Sequence, residues 1–294
     1  WDQWRYLPVQ DGGRAKPLDT LARETCRWLS NRTRMTDPAS GQTLDAATLY
    51  LIMLLDWQGW DQEDAAKPNP HAAGHPPTTG GYDRRHRPDQ WEQVPLLRVD
   101  SLALRAALGM PQHEAYVSPV ALNQGKIRLR ESGDQRPFVH WAEGLARREQ
   151  EGLTEFEQEA LQLVRKFRTY QDHRMGKRLA VVPIQGSEDQ QWISVSDLVS
   201  TEWDDKSDPT GLMRQARRQF QAARAAHLRN SAPDFNRASA AFRDAVGQLG
   251  PQLGVYPRSS TIRLEVIYNH VAPFRLAWIL TAVSFLSLLL SLAT

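Results

Sequence analysis

Cysteine is almost absent from this sequence: Cys26 is the single thiol among 294 residues. One cysteine cannot form an intrachain disulfide, and it excludes zinc sites and iron–sulfur clusters that are built from several thiolates. Cys26 adjoins the apolar positions of a predicted helix, and no histidine stands near it in the sequence. We therefore expect a packed thiol rather than a nucleophile.

A large excess of charge of either sign is also lacking. Lys and Arg number 36 and Asp and Glu 34, which gives a formal net charge of +2. This balance excludes a dedicated nucleic-acid-binding protein, so we expect no nucleic acid partner. One stretch is locally basic and is either a solvated helical surface or a site for an anionic partner. Its arginines are Arg214, Arg217, Arg218, Arg224, Arg229, Arg237 and Arg243.

Recognisable catalytic and metal-binding motifs are missing as well. The sequence has no GxSxG, HExxH, P-loop or GxGxxG pattern. His71 and His75 have the spacing of a helical metal pair, but the prolines on both sides forbid that helix. We therefore predict no catalytic residue and no metal site in this chain.

Long hydrophobic runs are missing except at the end of the chain. The residues from Leu276 to Thr294 are uncharged and rich in leucine. At about 1.5 Å per residue, a helix of this length approaches the roughly 30 Å hydrocarbon core of a bilayer. Leucines on every face favour a transmembrane helix over 273–294 rather than a buried core helix. We expect this helix to begin a larger membrane region, and the start at Trp1 suggests a segment cut from a longer protein.

Apolar periodicity predicts a fold that is mainly α with minor β (α+β). A stripe at helical spacing runs from Leu18 to Leu29, and Thr154 with Glu157 forms a capping box before a long helix. The remaining elements are a helix over 42–57, strands at 126–130, 178–184 and 192–194, a helical hairpin over 210–249 and a helix over 257–270.

Composition divides the chain into four parts. Residues 61–92 are rich in Pro, Gly, His and charge and predict a flexible insertion. It separates a helical part at 1–60 from the remainder of a soluble domain at 93–272. The predicted transmembrane helix at 273–294 completes the chain.

Three stretches carry a resemblance to a known family. They are LPVQDGGRAKPLDTLARE at 7–24, RLAVVPI with QWISVSDL at 178–198, and RLEVIYNHVAPFRLAWIL at 263–280. The most specific residues are Gly13, Arg14, Lys16, Pro17, Asp19 and Thr20, followed by Glu265, Tyr268, Asn269, Pro273 and Phe274. Together they resemble the extracytoplasmic part of the CcsB/CcsA-type (system II, ResB/ResC-like) cytochrome c synthases.

The resemblance implies a membrane protein of cytochrome c biogenesis that attaches haem to the CxxCH thiols of apocytochrome c. In that family the tryptophan-rich haem-handling segment and the principal histidine ligands belong to the membrane region. This chain lacks that segment, so it is expected to scaffold or dock rather than catalyse, and to hold no haem itself. Its expected partners are the membrane, the rest of the synthase and apocytochrome c, on the periplasmic side of the cell membrane.

Two alternatives accompany this interpretation. His270 lies about one turn before the predicted span and is a candidate haem ligand, although a histidine hydrogen-bonded at the interface is the commoner outcome. The second alternative is a membrane-anchored scaffold or binding domain of another envelope complex, without haem chemistry. The chain has no CxxCH motif, which excludes it as the cytochrome substrate.

Overall fold

The chain folds into a mainly helical α+β structure, as the periodicity predicts. The computed structural model describes residues 1–38, 40–60, 90–129, 133–147, 152–187, 191–271 and 273–293. Residues 61–89 of the predicted insertion at 61–92 lie outside the described residues. The described chain resumes with a 3₁₀ turn at Gln90–Glu92, whose Trp91 is buried in the core.

Twelve helices lie in the described residues. In chain order they are α1 (Asp2–Arg5), α2 (Leu18–Ser30), α3 (Ala46–Leu55), α4 (Leu102–Ala107), α5 (Pro119–Gln124), α6 (Phe138–Leu145), α7 (Glu155–Arg174), α8 (Val195–Ser200), α9 (Leu212–Leu228), α10 (Ala232–Leu253), α11 (Ser259–Val271) and α12 (Pro273–Ala293). The predicted capping box is confirmed, since Thr154 and Glu157 satisfy each other's backbone groups at the start of α7.

Ten short strands form four antiparallel sheets in the same residues. They are β1 (Pro8–Asp11), β2 (Arg14–Pro17), β3 (Arg34–Thr36), β4 (Thr43–Asp45), β5 (Leu97–Arg98), β6 (Tyr116–Val117), β7 (Lys126–Arg128), β8 (Gln135–Pro137), β9 (Ala180–Pro183) and β10 (Trp192–Ser194). The main sheet has the order β10-β9-β1-β2. It joins two of the family-like stretches, because Gln10 in β1 pairs with Ala180 in β9.

The turn between β1 and β2 explains the paired glycines of the first motif. Asp11 pairs with Arg14 in the antiparallel register, which leaves Gly12 and Gly13 as a two-residue loop. Both have positive φ, 60° and 77°. A turn of this kind matches the twist of the hairpin and requires residues that tolerate the left-handed region.

One hydrophobic core lies between the sheet, the helices around it and the α9–α10 hairpin. The aromatic side chains of the hairpin fix the N-terminus. Trp4 stacks on Phe242 with a centroid distance of 5.0 Å and donates from Nε1 to Ser239 Oγ at 2.8 Å. This hydrogen bond satisfies the polar group of a nearly fully buried tryptophan.

The C-terminal helix α12 differs from all the others in what it exposes. Its large apolar side chains, as far as they are described, are exposed, with Phe274 at 80% and Leu292 at 76%. Among the described residues, no helix meets the length and apolarity needed to cross a membrane. The structure therefore does not support the predicted transmembrane assignment of 273–294, although the segment is helical.

Candidate functional site

Two of the family-like stretches, far apart in sequence, meet in one polar cluster. Arg14 begins β2 and Thr20 lies in the first turn of α2, whereas Glu265 and Asn269 lie on α11. We call these four residues the terminal junction. Glu265 and Asn269 are four residues apart and therefore share one face of their helix.

The terminal junction is a continuous chain of hydrogen bonds. Asn269 Nδ2 donates to Thr20 Oγ1 at 2.8 Å, and Thr20 Oγ1 donates to Glu265 Oε1 at 2.8 Å. Arg14 donates to both Glu265 oxygens, at 3.2 and 3.4 Å. The carboxylate thus accepts three hydrogen bonds, of which the two from the half-exposed Arg14 are screened by solvent.

Apolar contacts accompany the terminal junction along the same helix. Ile262 and Val266 lie on the face of α11 that carries Glu265 and Asn269, and both side chains are buried. The buried pair and the polar chain together hold α11 against β2 and α2. This fixes the position from which α12 departs.

His270 belongs to the edge of this cluster. Its Nδ1 lies 2.8 Å from the Val266 carbonyl oxygen, which can only accept, so Nδ1 carries the proton. Nε2 is then the acceptor, and Arg23 Nη2 lies 3.3 Å from it. An iron atom at Nε2 would displace a guanidinium. Both ring nitrogens of His270 therefore have a partner within the protein.

Asp19 sits between two arginines at the N-terminus of α2. Its side chain is 1% exposed, with Arg5 Nη1 at 3.0 Å and Arg23 Nε at 2.7 Å. Arg5 also contacts Asp45, the residue that caps α3. Burial opposes the charge of Arg5, but its hydrogen bonds to Asp45 and Asp2 outweigh that effect and raise its pKa. The motif aspartate therefore joins α1, α2 and α3.

Lys16 is also paired within the protein rather than free for a ligand. It is 5% exposed, and its Nζ lies 2.6 Å from Glu24 and 2.9 Å from Asp11. Burial disfavours the ammonium, yet the hydrogen bonds that it donates to Glu24 and Asp11 outweigh this effect and raise the pKa of Lys16. Arg14 and Lys16 both have structural partners.

The other motif residues have structural positions as well. Gly13 and Pro17 lie in the β1–β2 hairpin, and Pro273 is the first residue of α12. Tyr268 and Phe274 are exposed, and their rings meet edge to face at 6.3 Å between centroids. Residues of the first motif and of the last thus meet at α11.

A groove of about 690 Å³ lies between α2 and α7. Thr25 and His173 form part of its floor, and Trp28 is a half-exposed residue on its rim. His173 Nδ1 lies 3.0 Å from Tyr50 Oη, and Nε2 lies 3.2 Å from Thr25 Oγ1. Burial, with a smaller contribution from Arg178, lowers the pKa of His173 to about 4, so its imidazole is neutral at pH 7.

Sequence reasoning missed this groove. Thr25 falls within the predicted apolar stripe of α2, and His173 lies in the last turn of α7. No local pattern indicates that the two helices bring these side chains together. An indication in the sequence is Thr25 itself, a polar residue on the otherwise apolar stripe of α2.

The arginines of the α9–α10 hairpin do not form one solvated surface. Arg224 is 9% exposed and donates to the carbonyl oxygens of Leu55 and Trp57 at 3.1 and 3.2 Å. It therefore satisfies backbone groups where α3 ends. His227, one turn further on, lies 2.7 Å from Asp56 Oδ1.

The next features are possible metal ligands and the single thiol. In that part of the chain, no group of three or more His, Cys, Asp or Glu side chains is placed to hold a metal ion. His71 and His75 lie outside the described residues. Cys26 is confirmed as a packed thiol, since it is 2% exposed and burial raises its pKa to about 12.

Comparison with known proteins adds no relative, because neither a protein-family model nor a curated protein matches this chain.

Proposed function

We propose that this chain is the extracytoplasmic segment of a membrane cytochrome c synthase, where it scaffolds the outer face of the enzyme. The resemblance of the three stretches motivates the proposal. The observation that carries it is the terminal junction, in which residues of the first and last stretches bond directly to each other. These hydrogen bonds hold α11 against β2 and α2.

A scaffold of this kind positions a membrane helix relative to a soluble domain. In the proposal, α12 enters the bilayer, and the uncharged run from Leu276 to Thr294 supports this. The exposure of its described apolar side chains is consistent with a lipid environment. Haem attachment itself belongs to the rest of the synthase, because His270 is already engaged by Arg23 and Val266.

The membrane part of the proposal predicts a difference in solubility. A chain that ends before Phe274 is expected to stay soluble without detergent, whereas the whole chain requires it. About a dozen large apolar side chains, each worth roughly 1.5 to 3 kcal/mol on burial, outweigh the few hydroxyls of α12. Detergent-free ultracentrifugation of both chains measures this. Equal solubility of the two chains would show that α12 does not enter the membrane.

The synthase part predicts an effect on cytochrome maturation. In the complete protein, Asn269→Ala removes the donor to Thr20. The double variant Arg14→Gln and Lys16→Gln removes the cation of the terminal junction and the cation that lies between Asp11 and Glu24. Asn269→Ala and Arg14→Gln each remove a contact to α11 worth about 1 kcal/mol, whereas Lys16→Gln loosens the pairing of β1 with α2 beside it. Holocytochrome yield, measured by haem staining, is expected to fall in both variants while protein levels persist.

Arg237 offers a matched control that has no part in the terminal junction. Arg237 is exposed on α10 and pairs only at the surface with Asp234, at 3.3 Å, so Arg237→Gln is expected to leave the yield unchanged. Normal maturation in both junction variants, or after deletion of the whole soluble region, would contradict the proposal. Membrane association without any effect on maturation would favour the alternative of an anchored scaffold in another envelope complex.

A further inference from the structure

We propose that α11 lies flat in the interfacial layer of an anionic bilayer, between the soluble domain and the lipid. This inference rests on the proposed function, because that function places α12 in the membrane. It goes further by assigning a lipid-binding role to a helix that sequence alone places in the soluble domain. The partner is a lipid surface whose headgroups carry negative charge.

The helix has two opposed faces. One face contains Ile262, Glu265, Val266 and Asn269, which contact the domain. At 100° per residue, the opposite face contains four large apolar residues. They are Leu264, Ile267, Tyr268 and Val271, exposed by 68%, 55%, 48% and 49%.

This outward face contacts the start of α12. Tyr268 on α11 contacts Phe274 at the start of α12, with ring centroids 6.3 Å apart. Aromatic rings with a polar tip are typical of the boundary between headgroups and acyl chains. The outward face therefore meets the apolar surface of α12 at a position where a membrane boundary is chemically appropriate.

The charges around α11 favour an anionic lipid surface. From residue 255 to the end of the chain the sequence has three arginines, Arg258, Arg263 and Arg275, and a single acid, Glu265. That acid faces inward and is held by Arg14 and Thr20. Arg258 and Arg263 are exposed beside the apolar face. Cations that flank an apolar helical face suit anionic headgroups above an acyl layer.

The terminal junction gives this face a fixed direction. Because Glu265 and Asn269 hold α11 to α2 and β2, the outward side chains point away from the domain as one strip of about 10 Å. A free amphipathic helix would have to fold on the lipid, whereas α11 is already formed. The strip is therefore presented to a planar surface.

Spin labels on the full chain in nanodiscs of phosphatidylcholine and phosphatidylglycerol test the inference. Leu264→Cys and Ile267→Cys place labels on the outward face, Leu289→Cys places one on α12, and Arg237→Cys serves as an aqueous control. The native Cys26 is buried, and the parent chain treated with the same spin label reports its background. Accessibility to oxygen and to a water-soluble nickel chelate is measured by power saturation.

We expect labels at 264 and 267 to be more accessible to oxygen than to nickel, like the label at 289 and unlike that at 237. A lipid-like label at 289 with aqueous labels at 264 and 267 would overturn the inference and leave the proposed function intact. An aqueous label at 289 would overturn the membrane part of the proposed function itself. Labels at 264 and 267 shielded from both reagents would indicate a protein partner, such as a second copy, and would also overturn the inference.

Discussion

Replacing Asp19 with asparagine is expected to lower the free energy of unfolding by about 3 kcal/mol. The carboxylate is 1% exposed and lies between Arg5 and Arg23, at 3.0 and 2.7 Å. Removing its charge leaves two partly buried guanidiniums facing a neutral amide. Breaking a buried pair by removing one partner is costly. Arg5 keeps Asp45 and Asp2 as partners, so the loss falls mainly on Arg23.

Urea unfolding followed by circular dichroism measures this loss. Asp244→Asn is a suitable control, since Asp244 is an exposed helical aspartate that forms a surface ion pair with Arg243 at 3.2 Å. Exposed pairs contribute about 0 to 1 kcal/mol, so the control is expected to change stability little. A loss in Asp19→Asn no larger than that of the control would show that Asp19 does not join the helices as the contacts indicate.

The local elements of the fold were largely predictable from the sequence. The apolar stripe from Leu18 gives α2, and Thr154 with Glu157 gives the start of α7. One boundary was wrong, because the helix predicted over 42–57 begins only at Ala46. Residues 43–45 instead pair with β3, and Asp45 caps the helix by accepting from Thr48. A cap and a short strand override periodicity at a helix end.

Long-range polar contacts were beyond sequence reasoning. Asn269 reaches Thr20 and Arg224 reaches Leu55, and no periodic pattern encodes either pairing. Periodicity reports which face of an element is buried, but it cannot report which distant donor meets which acceptor. The family-like motifs marked several of these residues without indicating their geometry. They missed His173 altogether, because its partners lie on α2 and α3.

The buried His173 is expected to make stability depend on pH in a range where carboxylates do not titrate. Burial lowers the pKa of His173 to about 4, against about 6.5 for histidine in an unfolded chain. Between those values the unfolded chain binds about one proton more than the folded chain. Stability therefore falls as the pH falls through this window, by at most about 1.4 kcal/mol per pH unit.

The carboxylates of the folded protein act at lower pH. Burial opposes the charge of Asp11, but the hydrogen bond and charge of Lys16 outweigh it and lower the pKa of Asp11. The stability that this shift contributes is present above the unfolded value near 3.8 and is lost only as the pH falls below it. The interval from about pH 6 to about pH 5 therefore separates His173 from the carboxylates.

Replacing His173 with glutamine is expected to remove this dependence. Glutamine retains an amide for Tyr50 but has no group that titrates in the interval, so the slope of unfolding free energy against pH is expected to fall by about 1 kcal/mol per unit. Urea unfolding at several pH values between 6 and 5 measures the slope. His113→Gln is the matched control, because the His113 side chain is 84% exposed and is solvated in both states. Equal slopes in His173→Gln and the parent protein would show that the imidazole is not held neutral by burial, whatever the absolute stability of the variant.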